Sequence, residues 1–135
     1  YLEEFKNNTK ENSNVIFLGK KKNIRSILKK TDIFIFPTLH ENLSNALLEA
    51  CVEKNAVIAS KVGGNIEVIE DKISGILVDP YDIKAYKDAL LYLKYNKNKM
   101  IEYGEKARAR VLNKFNEVEM VKSLSIIYKK IAEKS

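Results

Sequence analysis

Residues 33–59 of this 135-residue chain read IFIFPTLHENLSNALLEACVEKNAVIA. The stretch opens and closes with short apolar runs, at residues 33–36 and 56–59, and a helix-like segment lies between them at residues 44–53. Uninterrupted apolarity, as opposed to strict alternation, is typical of strands that are covered on both faces of a parallel sheet. The order strand, helix, strand therefore predicts a right-handed crossover unit.

Two further apolar runs extend this pattern, at residues 15–18 and 75–78, and both are predicted to be strands. Helical candidates fill the spaces, at residues 23–30 and as a short turn near residues 66–70. Four strands that alternate with helices favour an α/β fold with a Rossmann-like, doubly wound parallel sheet.

The pattern changes after residue 78, where three C-terminal helices are predicted. Asp82 is a capping residue for the first, and the second covers about residues 99–113. The third begins at Asn116, with Glu119 placed as in a capping box. No repeat or Pro/Gly-rich linker interrupts the chain, so residues 1–135 are predicted to form a single domain.

Composition limits the function classes. The chain has 24 Lys and Arg against 18 Asp and Glu, a net charge of +6, but no basic stripe interleaved with aromatic residues, so we expect no nucleic-acid partner. The short run Lys20-Lys21-Lys22 is interpreted as a solvated loop. With Cys51 as the only cysteine and no run of about 20 apolar residues, we expect a cytoplasmic protein. Tyr1 stands first in place of Met, and this suggests a piece of a longer protein.

Ligands of doubly wound sheets bind beyond the carboxyl ends of the strands, so the loops after residues 18, 36, 59 and 78 are the candidate sites. The loop at residues 37–44 leads into a helix, whose start exposes unpaired N–H groups and a partial positive charge. The amides of Leu43, Ser44 and Asn45 are therefore candidates for holding a diphosphate. Asn42 tolerates the left-handed backbone of a tight entry.

Glu49, inside that helix, has two interpretations. A carboxylate accepts two hydroxyl groups at once, which suits the vicinal diol of a ribose. Alternatively, Asn45, Glu49 and Glu53 stand four residues apart and form an ordinary solvated stripe, which spacing alone favours. The pair Gly63-Gly64 is similarly open, because it permits close backbone approach to a ligand and is also common in a plain strand-to-helix turn.

The string at residues 15–80 resembles the C-terminal domain of the group 1 retaining glycosyltransferases, also called family 4. Its motifs occur in the family's order: FLG at residues 17–19, TD before the IFIFP strand, Glu41 and Glu49 in a Glu-x7-Glu arrangement, VGG with Glu67, and GILV followed by Pro80. The sequence departs from the family at three places: Thr31-Asp32 replaces Ala-Asp, Asn42 replaces a usual Gly, and residues 54–56 replace a Gly-Lys-Pro turn. The turn need not touch the site.

The resemblance implies one half of a GT-B fold that binds a nucleotide-diphospho-sugar, UDP- or GDP-based, for retaining hexosyl transfer in glycoconjugate biosynthesis, with no metal or other cofactor. It implies that Glu49 binds the ribose, that Glu41 is catalytic and faces the donor sugar, and that residues 42–45 with Gly63 and Gly64 line the donor site. The family's acceptor-binding domain and its phosphate-binding Arg/Lys pair do not fit within residues 1–14. We therefore expect no transfer by this chain alone.

The acceptor implied is a glycan or a lipid-linked sugar, and peripheral attachment of the full-length enzyme to the inner membrane surface is compatible with it. Two other functions stay open: a stand-alone, non-catalytic nucleotide-sugar-binding module, and a fragment of a GT-B sugar-nucleotide epimerase. His40 lies beside Glu41 but is not assigned a catalytic role, and Cys51 is predicted to belong to the core.

Overall fold

The computed structural model describes residues 14–115 together with Glu4, Asn7 and Thr9. Within this part, the helices and strands alternate as the sequence predicts and then give way to two helices. In chain order they are α1 Arg25–Leu28, β1 Ile33–Phe36, α2 Asn45–Val52, β2 Ala56–Ser60, α3 Gly63–Val68, β3 Ile76–Val78, α4 Ile83–Tyr95 and α5 Lys97–Lys114.

The three strands form one parallel sheet in the order β1-β2-β3. Ile33 pairs with Ala56 and Phe36 with Ala59, while Ser60 pairs with Val78. Because all three strands run the same way, their carboxyl ends meet at one edge. The loops that follow Phe36, Ser60 and Val78 therefore lie side by side.

β2 is buried along its whole length and contributes to two cores. Val57 and Ala59 face the larger core, and Ala56 and Ile58 face the smaller one. The larger core contains Leu47, Cys51, Val57, Ala59, Val68, Ile69, Ala107 and Val111. The smaller contains Ala56, Ile58, Val78, Ala89, Leu93 and Tyr103. Helices thus cover both faces of the sheet, as the uninterrupted apolarity of this strand predicted.

Two helices have side-chain caps, of which the one at Asp82 was predicted. The Asp82 carboxylate accepts a hydrogen bond of 2.8 Å from the N–H of Ala85 at the start of α4. Ser44 precedes α2 with extended backbone, and its hydroxyl accepts a hydrogen bond of 3.4 Å from the N–H of Leu47. Each cap satisfies one of the N–H groups that a helix start leaves without an intrahelical partner.

The strand predicted at residues 15–18 is wrong. The structure assigns no strand there, and the side chains of this segment are exposed, Ile16 by 77%. Apolar side chains alone do not make a strand, because a parallel strand also needs a neighbouring backbone ladder and a covering layer. The sheet of the described residues accordingly has three strands where four were predicted.

The remaining predictions differ in their boundaries. The turn of helix predicted near residues 66–70 begins three residues earlier, at Gly63, and ends at Val68. The predicted helix at residues 23–30 is shortened to α1, whereas the one at residues 99–113 is extended to α5. The third C-terminal helix, predicted from Asn116, lies outside the described residues.

Candidate functional site

The loop after β1 and the first turn of α3 are in direct contact at the carboxyl edge of the sheet. The N–H of Gly64 donates a hydrogen bond of 2.9 Å to the carbonyl oxygen of Glu41. Both glycines of α3 are needed for this approach. A Cβ on Gly63 would lie 1.8 Å from the Glu41 carbonyl oxygen, and one on Gly64 would lie 1.4 Å from that of Asn42. Gly63 also has φ +41°, where L side chains are rare.

The close backbone approach at the glycine pair is made by the protein's own loop. Gly63 and Gly64 allow a second backbone segment to pack against them, and that segment carries Glu41 and Asn42. The amide of Gly64 is engaged with Glu41 and so is not free for a ligand. The two glycines therefore shape the candidate site by fixing its loop.

The start of α2 provides the predicted free amides. None of the N–H groups of Leu43, Ser44 and Asn45 donates a hydrogen bond to any acceptor within residues 14–115. Ser44 itself is buried, and its hydroxyl serves the amide of Leu47. The amides of a helix start carry a partial positive charge that favours an anion. This arrangement is suited to a phosphate group.

Glu49 projects from α2 into a cavity of about 500 Å³. The cavity lies between the segment that precedes α1 and the outer side of α2, and it is lined by Lys22, Asn23, Ile24, Arg25, Leu48, Glu49, Val52 and Glu53. Volumes of this order accommodate small-molecule ligands. The wall combines aliphatic side chains with both signs of charge.

The two family glutamates are both available for contact with a ligand. Glu49 is exposed and Glu41 is half-buried, and within the described part neither carboxylate forms a hydrogen bond or an ion pair. Glu53 differs, because its carboxylate is paired with the guanidinium of Arg25 and is only 9% exposed. The residues four apart on α2 thus do not form a uniform solvated stripe. Glu53 closes one side of the cavity, and Glu49 leaves its oxygens free.

Of the residues that line the cavity, the sequence assigned only Glu49 to the site, and the polar residues that it missed include Lys22, Asn23 and Arg25. The run Lys20-Lys21-Lys22 is exposed, as a solvated loop should be, but its last residue also lines the cavity. A signal was available, because this run follows residues 15–18, one of the four segments whose following loop was a candidate site. The lysine run thus borders the cavity although the segment before it, residues 15–18, is not a strand.

His40 and Cys51 lie in different surroundings. His40 is exposed beside Glu41, whereas Cys51 is fully buried in the larger core, as predicted. Burial raises the pKa of the Cys51 thiol to about 12, so the nucleophilic thiolate is scarce at neutral pH. Cys51 therefore has a packing role.

Among the described residues, no group of three or more His, Cys, Asp or Glu side chains is placed to hold a metal ion. In the same part of the chain, we find no helix with the length and apolarity required to span a membrane.

Comparison with known proteins identifies the family. The sequence model for the group 1 glycosyl transferases matches residues 1–110. The chain belongs to this family. The resemblance based on the motifs at residues 15–80 is thus confirmed, and most of the chain lies within the match.

Two curated relatives and one solved structure illustrate the similarity. The group 1 chain is 34% identical over 115 residues to alpha-maltose-1-phosphate synthase of Mycolicibacterium smegmatis, covering 81% of this chain and 30% of the relative. It is 30% identical over 114 residues to the Escherichia coli UDP-Gal:alpha-D-GlcNAc-diphosphoundecaprenol alpha-1,3-galactosyltransferase, covering 84% and 29%. Anabaena HepE in complex with UDP superposes with a TM-score of 0.87 at 20% identity, covering 96% of this chain and 36% of HepE.

The structural likeness confirms the fold class, a mixed α/β domain with a parallel sheet like that of GT-B glycosyltransferases. The group 1 chain spans about 30% of the length of the curated relatives it matches. The roles of individual site residues are predictions.

Proposed function

We propose that this group 1 chain is the donor-binding part of a retaining hexosyltransferase. The proposal rests on one observation: the free carboxylate of Glu49 lies in a cavity of about 500 Å³, on the same helix whose first amides are unpaired. A nucleotide-diphospho-sugar has a diol and a diphosphate at a short distance from each other. One helix offers a matching group for each.

The diphosphate would bind at the start of α2. The N–H groups of Leu43, Ser44 and Asn45 donate to its oxygens, and the helix dipole favours its negative charge. These donors are held in place before the ligand arrives, since Ser44 caps the helix and Gly63 and Gly64 fix the preceding loop. Preorganised donors stabilise the charge that builds up on the leaving diphosphate, so no metal or other cofactor is required.

The nucleoside would occupy the cavity beside Glu49. The carboxylate accepts hydrogen bonds from the two ribose hydroxyls, and Leu48 and Val52 give the aliphatic surface against which a base packs. A uridine or guanosine nucleotide is proposed. Consistent with a nucleotide site, the related fold of HepE was determined with UDP.

Glu41 would contact the donor sugar and is the proposed catalytic residue. Its carbonyl oxygen accepts a hydrogen bond from Gly64, which fixes the backbone at this position. Its carboxylate has no partner within the described part and is therefore available to the sugar. In the transfer step, the bond between the anomeric carbon and the diphosphate oxygen breaks. A bond from the acceptor hydroxyl oxygen to the same carbon forms on the face that the diphosphate leaves, as retention requires, and the hydroxyl proton passes to the departing diphosphate oxygen.

A binding panel tests the nucleotide site. The 135-residue chain is titrated calorimetrically with UDP, GDP, UDP-glucose, UDP-galactose and GDP-mannose, with adenosine as a nucleoside that lacks phosphate. We expect saturable binding of one ligand per chain for at least one diphosphate, and weaker binding at high salt because the ligand is anionic. No binding by any member of the panel would contradict the proposal.

Transfer itself is expected to need a second part. We propose that a glycan or lipid-linked acceptor, and any membrane attachment, belong to polypeptide outside these 135 residues. The purified chain should then show no sugar transfer above background with a donor that it binds, in a radiolabel assay with simple sugar and lipid-linked acceptors. Robust transfer by the chain alone would show that it carries its own acceptor site.

A further inference from the structure

A buried amide connects the two loops of the candidate site. Asn65, the third residue of α3, is fully buried. Its side-chain nitrogen donates to the carbonyl oxygen of Ser60 at 3.0 Å and to the hydroxyl oxygen of Thr38 at 3.3 Å. Ser60 ends β2, and Thr38 lies in the loop between β1 and α2. Neither the free amides nor the glutamates of the site explain why a polar side chain is buried at this point.

The orientation of this amide is fixed by its partners. The Ser60 carbonyl can only accept a hydrogen bond, so the nitrogen of the Asn65 amide must face it. The side-chain oxygen of Asn65 is then left buried without a partner among the described residues. An unpaired buried acceptor is unfavourable, and such groups in native proteins call for an explanation.

The loop that carries Glu41 is held at two places by α3. The Asn65 side chain contacts Thr38, and the Gly64 amide contacts the carbonyl oxygen of Glu41 at 2.9 Å. The Asn65 contact is also tied to the sheet, because Ser60, which accepts from Asn65, donates its hydroxyl to the carbonyl oxygen of Phe36 at 3.3 Å. Residues 38–41 are therefore fixed relative to the ends of β1 and β2.

We propose that Asn65 is a positioning residue that holds the loop of Thr38 and Glu41 where Glu41 meets the donor sugar. The inference rests on the proposed function. Loss of the Asn65–Thr38 contact lets this loop shift, and the contact between Glu41 and the sugar weakens. The nucleoside is held elsewhere, by Glu49 and the cavity wall. The diphosphate is held by the amides at the start of α2, which the helix cap and the glycine contact keep in place. The expected defect is thus confined to the sugar.

The experiment compares two dissociation constants for each variant: that of a nucleotide-sugar and that of the nucleoside diphosphate it contains, UDP-glucose with UDP or GDP-mannose with GDP. The pair that the wild-type chain binds more tightly is used. Their ratio cancels contributions from the base, the ribose and the diphosphate. We expect Asn65→Leu, which keeps the volume and removes both hydrogen bonds, to weaken nucleotide-sugar binding relative to nucleoside diphosphate by about tenfold.

A matched control exists at the opposite edge of the sheet. Asn55 is also buried, its side-chain nitrogen donates to the carbonyl oxygens of Leu28 and Thr31, and its side-chain oxygen is likewise unpaired. Asn55→Leu should lower stability in a similar way and leave the ratio unchanged. Thr38→Val removes the other partner of the Asn65 contact at a half-buried position, so its fold should be retained. It should shift the ratio in the same direction as Asn65→Leu.

The outcomes are distinguishable. An unchanged ratio in both Asn65→Leu and Thr38→Val, or an equal shift in Asn55→Leu, would overturn the positioning role while leaving the nucleotide site intact. Failure of the wild-type chain to bind any nucleotide would instead overturn the proposed function, and this inference with it.

Discussion

Gly64→Ala is expected to lower the free energy of unfolding of this chain by about 3 kcal/mol, the upper end of the usual cost of overpacking. The added Cβ would lie 1.4 Å from the carbonyl oxygen of Asn42 and 3.1 Å from the Cα of Leu43. These are backbone atoms, which cannot rotate away as the end of a flexible side chain would. α3 and the loop must separate, and the hydrogen bond from Gly64 to Glu41 is then lost.

Urea unfolding followed by circular dichroism measures this effect, through the transition midpoint at constant slope. Gly19→Ala is the matched control, because Gly19 has φ +62° but no atom lies within 4 Å of the position that an added Cβ would take. It should cost only the backbone strain of a non-glycine residue, about 1 kcal/mol. If Gly64→Ala were no more destabilising than Gly19→Ala, the close packing of α3 against the loop would be refuted.

Glu49→Ala is expected to weaken nucleoside diphosphate binding by about 30-fold, since hydrogen bonds to a charged group contribute about 2 kcal/mol. The carboxylate is exposed and has no partner within the described residues, so its removal should leave the fold intact. Isothermal titration calorimetry measures the loss. Glu105→Ala removes an exposed carboxylate of α5 that is paired with Lys54 and does not line the cavity, and this variant should bind as the wild type does.

A change in the ligand makes the assignment of Glu49 more specific. If the carboxylate contacts the ribose diol, the wild-type chain should bind UDP more tightly than 2′-deoxy-UDP, or GDP more tightly than 2′-deoxy-GDP. The Glu49→Ala variant should lose most of that preference, because the contacting group is gone from the protein side. Equal nucleotide binding by wild type and Glu49→Ala would reject the ribose assignment.

A strand could be predicted from sequence where an apolar segment also has a neighbouring strand with which its backbone pairs. The strands that contain Ile33, Ala56 and Ile76 were recognised because the sheet is covered on both faces and their side chains are apolar. The segment at residues 15–18 gives the same signal and is exposed. Hydrophobicity reports what a segment prefers to contact, but strand formation also depends on a partner elsewhere in the chain.

The candidate site was predictable only in part. The free amides near Ser44 could be predicted, since the start of a helix leaves N–H groups unpaired wherever it occurs. The start of α3 was missed, because glycine is a poor helix former and only the contact with residues 41–43 reveals why two glycines open this helix. Asn65 gives no local signal at all, because its partners, Thr38 and Ser60, come from two other segments.

The complete burial of β2 has a consequence for ligand binding. Opening either core would expose one side of this strand, because Val57 and Ala59 line one core and Ala56 and Ile58 line the other. The strand is therefore stabilised by packing on both of its faces, and the two cores contribute to its stability together. Ser60 is the last residue of this strand and lies at the carboxyl edge of the sheet, next to the candidate site. In the proposed complex this strand is already packed on both sides, so we expect the conformational entropy lost on nucleotide binding to come mainly from the loops.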